Sequence, residues 1–300
     1  MNTISQLLTE YRKDQGLTQQ NLVVALSHFS NDFKALNTVT LSRWETGTTS
    51  PSLGKKRSLL HYLAEKNSFH QGACYDILRE RYEALYEPLS RIFTRNYQYL
   101  IGNLPEQRGA REPSLYPLHT FADKAAHIEH IIDIEVATNA TGYYRVTPQK
   151  MQQWCAHPST FAYIVERKKQ HLGHMVMFKL KNDVAEEIAH HERSEFDINE
   201  SDFCSIYEKG TYYVHALYGR SPKIAAMLNV KAYLHLFEHM QTTDNVMIFS
   251  SRTDGVLLTK DYGIETVASG TDEKFGFDWY GMMSPVEDIL FSDTVIKLIF

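Results

Sequence analysis

The 300-residue sequence predicts a multidomain chain, with an all-α N-terminal part followed by an α/β part built on a central mixed sheet. Three observations carry this expectation. Up to about residue 68 the apolar residues recur at helical spacing, separated by cap and stop residues. After about residue 118, short apolar strands alternate with amphipathic helices. The charge divides between the same two regions. Residues 1–66 carry 8 Lys and Arg against 5 Asp and Glu, and the remainder carries 23 against 31. Only the first part suits a polyanion.

The helices of the first part follow from their punctuation. Ile4, Leu7, Leu8 and Tyr11 form one buried stripe of a helix over Ile4 to Lys13. Gly16 supplies a left-handed stop. Thr18 caps a second helix carrying Leu22, Val23 and Leu26 inward, and Asn37 caps a third with Leu41 and Trp44 buried. Gly47 ends it, and Ser50-Pro51-Ser52 turns the chain into a fourth helix with Leu59, Leu60 and Leu63 inward. A helix-turn-helix presents the first residues of its second helix to the edges of base pairs. The residues at that position are Thr38, Val39, Thr40, Ser42 and Arg43. Arg donates two bonds to guanine, and Thr and Val pack on a thymine methyl. Gln19 and Gln20 stand at a helix N-terminus suited to a phosphate, and Lys55 and Lys56 add further phosphate contacts.

The stretches GLTQQNLVVAL and TVTLSRWETGTTSPSL resemble the phage-repressor-like (XRE/Cro) helix-turn-helix family over roughly residues 3 to 65. Trp44, Glu45 and Gly47 match its aromatic-Glu-x-Gly signature, in which the Glu is structural. The resemblance implies a sequence-specific transcriptional regulator that binds a double-stranded operator as a homodimer. One departure is visible. Thr18 and Trp44 stand 26 positions apart, so residues near His28 to Leu36 must form a longer turn than is usual in the family.

From Cys74 to Asn103 an aromatic-rich pattern keeps helical spacing up to Pro88 and resumes at Leu89, as a domain link, a dimer seam or packing on its own domain. Residues 103–117 hold three prolines and read as a linker. The expected domains are therefore 1–68, a connector over 69–117, and 118–300. In the last, helices are expected at Ala122 to Ile132, from Pro148 through Cys155, and at Asp183 to Arg193, Pro222 to Met240 and Gly255 to Tyr262. Strands are expected at Phe161 to Arg167, His174 to Leu180, Tyr212 to Tyr218, Val246 to Ser250, Ile264 to Ala268 and Phe275 to Met282. The first two strands form a hairpin turning near Gln170 to Gly173.

This order, with the segments FAYIVERKKQHLGHMVMFKL, YYVHALYGRSPKIAAMLNVKAYLHLF and NVMIFSSRTDGVLLTKDYGIETV, resembles the GNAT N-acetyltransferase fold over roughly residues 120 to 292. The resemblance implies splayed strands with a pocket between them, and a loop after the fourth strand that holds the pyrophosphate of acetyl-CoA or another acyl-CoA. The corresponding residues are Arg220, Ser221, Pro222, Lys223, Ile224 and Ala225. Lys223 stands where the family has glycine, and Pro222 contributes no N–H. The family's general-acid tyrosine is replaced by Thr259, a far weaker acid, with Tyr262 nearly a turn further on. Glu208 and His215 are the nearest candidates for a base. These departures place ligand sensing, dimerisation or partner contact first among the expectations, with an active N-acyltransferase tethered to DNA as the alternative.

Other constellations read as structural. His190-His191 diverge on a helix and belong at the surface. His127 and His130 share a face without an evident third ligand, His235 and His239 lack the HExxH order, and Trp154-Cys155 suits a core, so no metal is expected. Three scattered cysteines imply no disulfide framework. With neither a signal peptide pattern nor an apolar stretch long enough to span a bilayer, a bacterial, nucleoid-associated cytoplasmic setting is expected.

Overall fold

The computed structural model describes residues 3–96, 112–138 and 146–300. The chain divides into two compact units. The first joins residues 1–85 to 287–300, and the second comprises residues 86–286. The connector expected over 69–117 is thus shared between them, and its residues 97–111 lie outside the described residues.

The first unit is helical. Helices α1 (Thr3–Asp14), α2 (Gln19–Phe29), α3 (Thr38–Glu45), α4 (Leu53–Glu65) and α5 (Ala73–Glu83) follow the apolar stripes of the sequence. The cap assignments explain where they start. The Thr18 hydroxyl accepts from the Asn21 N–H at 3.1 Å, and the Asn37 side-chain Oδ1 from the Thr40 N–H at 2.9 Å. Gly16, at φ +59°, ends α1 in the left-handed region. The lengthened turn between α2 and α3 is an ordered insertion. It forms a 3-10 turn over Asn31–Phe33, whose Phe33 is fully buried, with Leu36 beside the core as well. Glu45 is buried between Arg12 Nε at 2.5 Å and Gln19 Nε2 at 2.7 Å. A buried carboxylate needs such partners to offset its desolvation.

Among the described residues the second unit holds a seven-stranded mixed sheet, its strands being β1 (Ser114–Pro117), β2 (Phe161–Arg167), β3 (Gln170–Leu180), β4 (Gly210–Gly219), β5 (Thr243–Ser250), β6 (Thr266–Thr271) and β7 (Asp278–Pro285). Their order is β1-β2-β3-β4-β5-β7-β6. All neighbours are antiparallel except β4 and β5, which run parallel. A parallel pair needs a crossover; here it is α10 (Pro222–Glu238), taking α6 (Tyr86–Asn96), α7 (Lys124–Thr138), α8 (Pro148–Ala156) and α9 (Asn182–Ala189) as the preceding helices. Helix α11 (Thr253–Asp261) follows β5. Trp154, Ile164, Val176, Phe178, Ile188 and Met247 belong to one core, formed where α7, α8 and α9 cover one face of the sheet. Strand β3 is buried from Leu172 to Leu180, as a strand covered on both faces must be.

Several sequence expectations are corrected. The β2–β3 hairpin turns at Lys168 and Lys169, both in the left-handed region at φ +51° and +63°, which is the two-residue geometry that matches strand twist. The lysines masked it, because Asn-Gly is the usual signal. Helix α6 runs through Pro88, which sits in its first turn where the missing N–H costs nothing, and the break falls earlier, at Ala84-Leu85. Ser114–Pro117, expected to be linker, adds β1 to the sheet edge. The last two strands lie a few residues later than expected. The Asp272 carboxylate accepts from the Lys274 and Phe275 N–H groups at 2.9 and 2.8 Å, fixing a turn where a strand was expected to begin.

Candidate active site

Strands β4 and β5 pair from Gly210↔Thr243 to Val214↔Ile248 and then part, although β4 continues to Gly219 and β5 to Ser250. A cavity of about 380 Å³ opens at this fork. Apolar groups such as Ile188, Leu217, Phe249 and Leu258 line it, together with Glu135, His191, Glu195, His215, Arg252 and Asp272. That mixture of apolar wall and a few convergent polar groups is the usual make-up of a small-molecule site.

Glu135, near the end of α7, brings its carboxylate to the cavity from the helix side. Burial pushes its pKa up to about 7, against the opposing effect of His215 and Arg252. Its Oε1 meets His174 Nε2 at 3.2 Å, and His174 on β3 is wholly buried. On β4 the side chain of His215 is also fully enclosed, with Nδ1 3.4 Å from Glu195 Oε2. The rings of Trp154 and Phe178 lie 5.6 and 5.2 Å from it. The Tyr213 hydroxyl donates to the same Glu195 oxygen. The partial exposure of His215 is therefore main chain, as expected of a strand edge that has lost its neighbour at the fork.

A second imidazole reaches the cavity. His191, at φ +58°, stacks on Phe249 at 5.4 Å and lies 4.9 Å from the Trp279 ring. Its Nε2 meets Asp272 Oδ2 at 3.1 Å. The sequence expectation of two surface histidines holds for His190, which is exposed, and is corrected for His191. The left-handed backbone turns the second residue of the pair inward.

The anticipated acyl-CoA loop, Arg220 to Ala225, follows directly on β4 and opens α10, with Ser221 as N-cap and Pro222 in the first turn. It adjoins the cavity in sequence, one residue beyond Gly219, but is not part of its lining. Close approach of this helix start to the sheet depends on two glycines. A Cβ on Gly219 would stand 2.8 Å from the Ala225 nitrogen, and one on Gly173 would stand 2.6 Å from Ile224 Cγ2. The Ser221 hydroxyl is buried without a hydrogen-bond partner, next to the N–H groups that a first helical turn leaves unpaired. Lys223 and Ile224 lie in that turn.

The other sequence candidates separate clearly. Glu208 is exposed and its carboxylate accepts from the Ser205 N–H at 2.8 Å, so it is a turn residue and is withdrawn as a base. Thr259 lines the cavity, but its hydroxyl faces the Val256 carbonyl and Met282 Sδ, each at 2.9 Å. Tyr262 is buried against the Phe93 and Tyr233 rings, outside the lining. His235 Nε2 lies 2.7 Å from the Tyr212 hydroxyl, inside the packing of α10 on the sheet. Burial holds the Cys155 thiol up at about 12. Among the described residues no group of three His, Cys, Asp or Glu is arranged to hold a metal. Glu135, His174, Glu195 and Arg252 escaped sequence reasoning. Only His174 carries a usable signal, a titratable residue inside the apolar run of β3.

In the helical unit, Val39 and Arg43 are exposed, and Thr38, Thr40 and Ser42 are half-buried on the same short helix. Gln20 is exposed, whereas Gln19 is engaged with Glu45. Lys55 lies over the Trp44 ring at 5.9 Å, and Lys56 is half-buried.

The mixed sheet with its flanking helices and parted parallel pair matches the GNAT-like arrangement that the sequence resemblance implies. Solved structures resemble the chain at low identity. FeeM, an N-acyl amino acid synthase from uncultured soil microbes, is 14% identical, with 58% of this chain and 91% of that one covered at a TM-score of 0.42. An N-acetyltransferase from Staphylococcus aureus is 9% identical, covering 59% and 99% at 0.41. The NatC complex bound to Gag peptide and CoA is 16% identical, covering 58% and 99% at 0.37. No family model matches the sequence, and no curated protein matches it. No helix among the described residues is long and apolar enough to cross a membrane.

Proposed function

We propose that the α/β unit is an acyl-CoA-dependent N-acyltransferase and that Glu135 is its general base. One observation carries this: the fork between β4 and β5 encloses a cavity in which a carboxylate is held at a pKa of about 7. A base near neutrality is ionised often enough to act and basic enough to take a proton from an amine. In the reaction the acceptor nitrogen attacks the thioester carbonyl as Glu135 removes its proton. The new C–N bond forms, the C–S bond breaks, and the CoA thiolate leaves and is then protonated. The N–H groups of α10's first turn, the orphaned Ser221 hydroxyl and the charges of Arg220 and Lys223 would receive the pyrophosphate. Lys223 substitutes charge for the close backbone approach that a glycine would allow. The sequence departures favoured sensing over catalysis; the ionisable groups gathered at the fork favour the reverse order.

The test uses the full chain, a panel of acyl-CoA donors and amine acceptors, and release of free thiol as readout. Glu135→Gln should lower kcat by about 10²–10⁴-fold while CoA affinity, measured by calorimetry, stays unchanged. Absence of CoA binding and of thiol release in the parent protein would remove the proposal.

A second reading concerns the helical unit, which would bind a double-stranded operator as a homodimer. It is favoured by the exposure of Val39 (60%) and Arg43 on a helix anchored from behind by Leu41 and Trp44. Arg43→Ala should cost about 1–3 kcal/mol of operator affinity and relax choice at one base pair. Equal footprints for parent and variant would discard this reading.

A further inference from the structure

We infer that His171 and His174 form a proton-exit path that carries the proton taken up by Glu135 out of the cavity along α7 and β3. The path gains its purpose from the acyltransfer reading of the cavity, but its geometry stands independently. His174 Nε2 lies 3.2 Å from Glu135 Oε1, and His174 Nδ1 lies 3.0 Å from His171 Nε2. Both nitrogens of His174 are thereby engaged, one toward the carboxylate and one toward the next ring. The chain ends on His171 Nδ1, a buried ring nitrogen with no hydrogen-bond partner. A buried polar atom left unpaired costs free energy, so its retention calls for a role. Beyond it the His130 ring lies 4.7 Å from the His171 ring, and His130 is exposed to solvent. The sequence Glu135, His174, His171 therefore runs from the cavity toward the exposed His130 on α7.

The transfer balances without a co-reactant. With Glu135 protonated, its O–H donates to His174 Nε2, His174 Nδ1–H donates to His171 Nε2, and His171 Nδ1 holds the last proton. A shift of one proton per link leaves Glu135 anionic, His174 and His171 each carrying hydrogen on Nε2, and one proton passed from His171 Nδ1 to water on the side of the exposed His130. No bond between heavy atoms changes, and each ring has exchanged one tautomer for the other. The first array returns when each ring gives up its Nε2 proton and takes one at Nδ1 by exchange with solvent, since turning a ring about Cβ–Cγ leaves its tautomer unchanged.

The surroundings suit passage over storage. Burial, with the neighbouring imidazoles, lowers His171 to about 2 and His174 to about 3. Neither ring becomes a resting cation near neutrality. The groups facing this chain are His127 and His130 on α7, His215 on β4, Glu195 and Arg252. Glu166 on β2 faces His127 at 3.7 Å. Glu135 is thus the group in the chain whose protonation changes near neutral pH, and the rings answer it by tautomer. In this scheme Glu135 touches substrate and is catalytic, whereas His174 and His171 act through it and are positioning residues.

Nitrogen NMR of the full chain carrying heavy-nitrogen-labelled histidine reads the tautomers directly. Between about pH 5 and about pH 8, both rings should stay neutral. They should pass together from the Nδ1–H to the Nε2–H form with a midpoint near 7, where Glu135 ionises. In Glu135→Gln that passage should vanish. Rings that become imidazolium, a tautomer unchanged over the range, or an identical passage in Glu135→Gln would each overturn the path. In kinetics, His171→Gln should lower kcat by up to about 10²-fold with KM unchanged, and added imidazole should restore the rate. A variant that loses rate without rescue marks a merely structural role. Should the parent chain transfer no acyl group, the acyltransfer reading fails alone, because the tautomer spectra still decide the path. If His171→Gln does not fold, those same spectra of the parent and of Glu135→Gln suffice.

Discussion

At the scale of single residues, the fork concentrates its chemistry in one carboxylate. Moving Glu135 from an ordinary 4.5 to about 7 means that the folded state holds its proton more tightly than the unfolded chain. Stability from this group is therefore fully present below about pH 4.5, and it declines as pH rises through 7. The decline amounts to something on the order of 3 kcal/mol at most. Activity should move the opposite way, rising with pH as the carboxylate ionises. Glu135→Gln separates the two effects. It keeps an acceptor for His174 Nε2, removes the proposed base, and removes the ionisation cost. Denaturant titrations at pH 5 and pH 8, for which any gain should appear only at the higher value, check this. A variant less stable than the parent at both values would contradict the account of Glu135 as a desolvated acid. Such a residue is invisible in sequence, because its pKa comes from burial and from His215 on β4, Glu195 and Arg252, brought together only by the fold.

At the scale of elements, much was legible wherever local signals agree with tertiary demand. The ends of α2 and α3 follow from Thr18 and Asn37, and β2 from its own apolar pattern. The strand-helix-strand order of β4, α10 and β5 was readable from two apolar strands flanking a long helix, whereas their parallel pairing came from the structure. What stayed hidden depends on distant partners. Strand β1 exists because Ser114–Pro117 pair with Tyr163–Glu166, and a four-residue strand has too little pattern of its own. The pairing of α9 with β7 is likewise unreadable, yet it hangs on one glycine. A Cβ on Gly281 would stand 1.7 Å from the Ala189 carbonyl oxygen, a backbone atom that cannot rotate away. Gly281→Ala should therefore force α9 off the sheet and cost at least about 1–3 kcal/mol. Because α9 carries Ile188 and leads into His191, both in the cavity lining, ligand affinity at the fork should fall along with the melting temperature. Gly16→Ala offers a contrasting control: nothing lies within 4 Å of its added Cβ, and only its φ of +59° would be strained. Equal losses at both positions would show that backbone conformation, and not close approach, sets the cost.

At the scale of the whole molecule, the chain leaves its helical unit at Leu85 and returns to it at Glu287. The sequence read the last residues as the end of the α/β part, since an apolar tail has no signal that says which core it joins. The structure assigns them to the first unit. Helices α12 (Val286–Leu290) and α13 (Asp293–Ile299) bring Ile289, Leu290, Phe291, Val295 and Ile296 into burial there. Phe291 packs on Phe69 at 5.8 Å and on the His61 ring at 5.5 Å. The Tyr82 hydroxyl donates to the Leu290 carbonyl at 2.7 Å, and α13 lies along α4, where Arg57 pairs with Asp293. The helical unit is therefore assembled from both ends of the chain, and residues 1–85 alone lack part of their core. Phe291→Ala should destabilise that unit by about 3–5 kcal/mol through the cavity it leaves, whereas Arg57→Ala, removing an exposed pair, should cost less than about 1 kcal/mol. Hydrogen exchange on the full chain can localise the effect: Phe291→Ala should accelerate exchange in α1, α4 and α5 while leaving β3 and β4 protected. A stretch of 287–300 that can be deleted without loss of protection in those helices would show that the unit closes without it. The expected result instead makes any DNA contact by α3 depend on a segment more than two hundred residues downstream, and only a chain whose α/β unit has been traversed to its end can complete it.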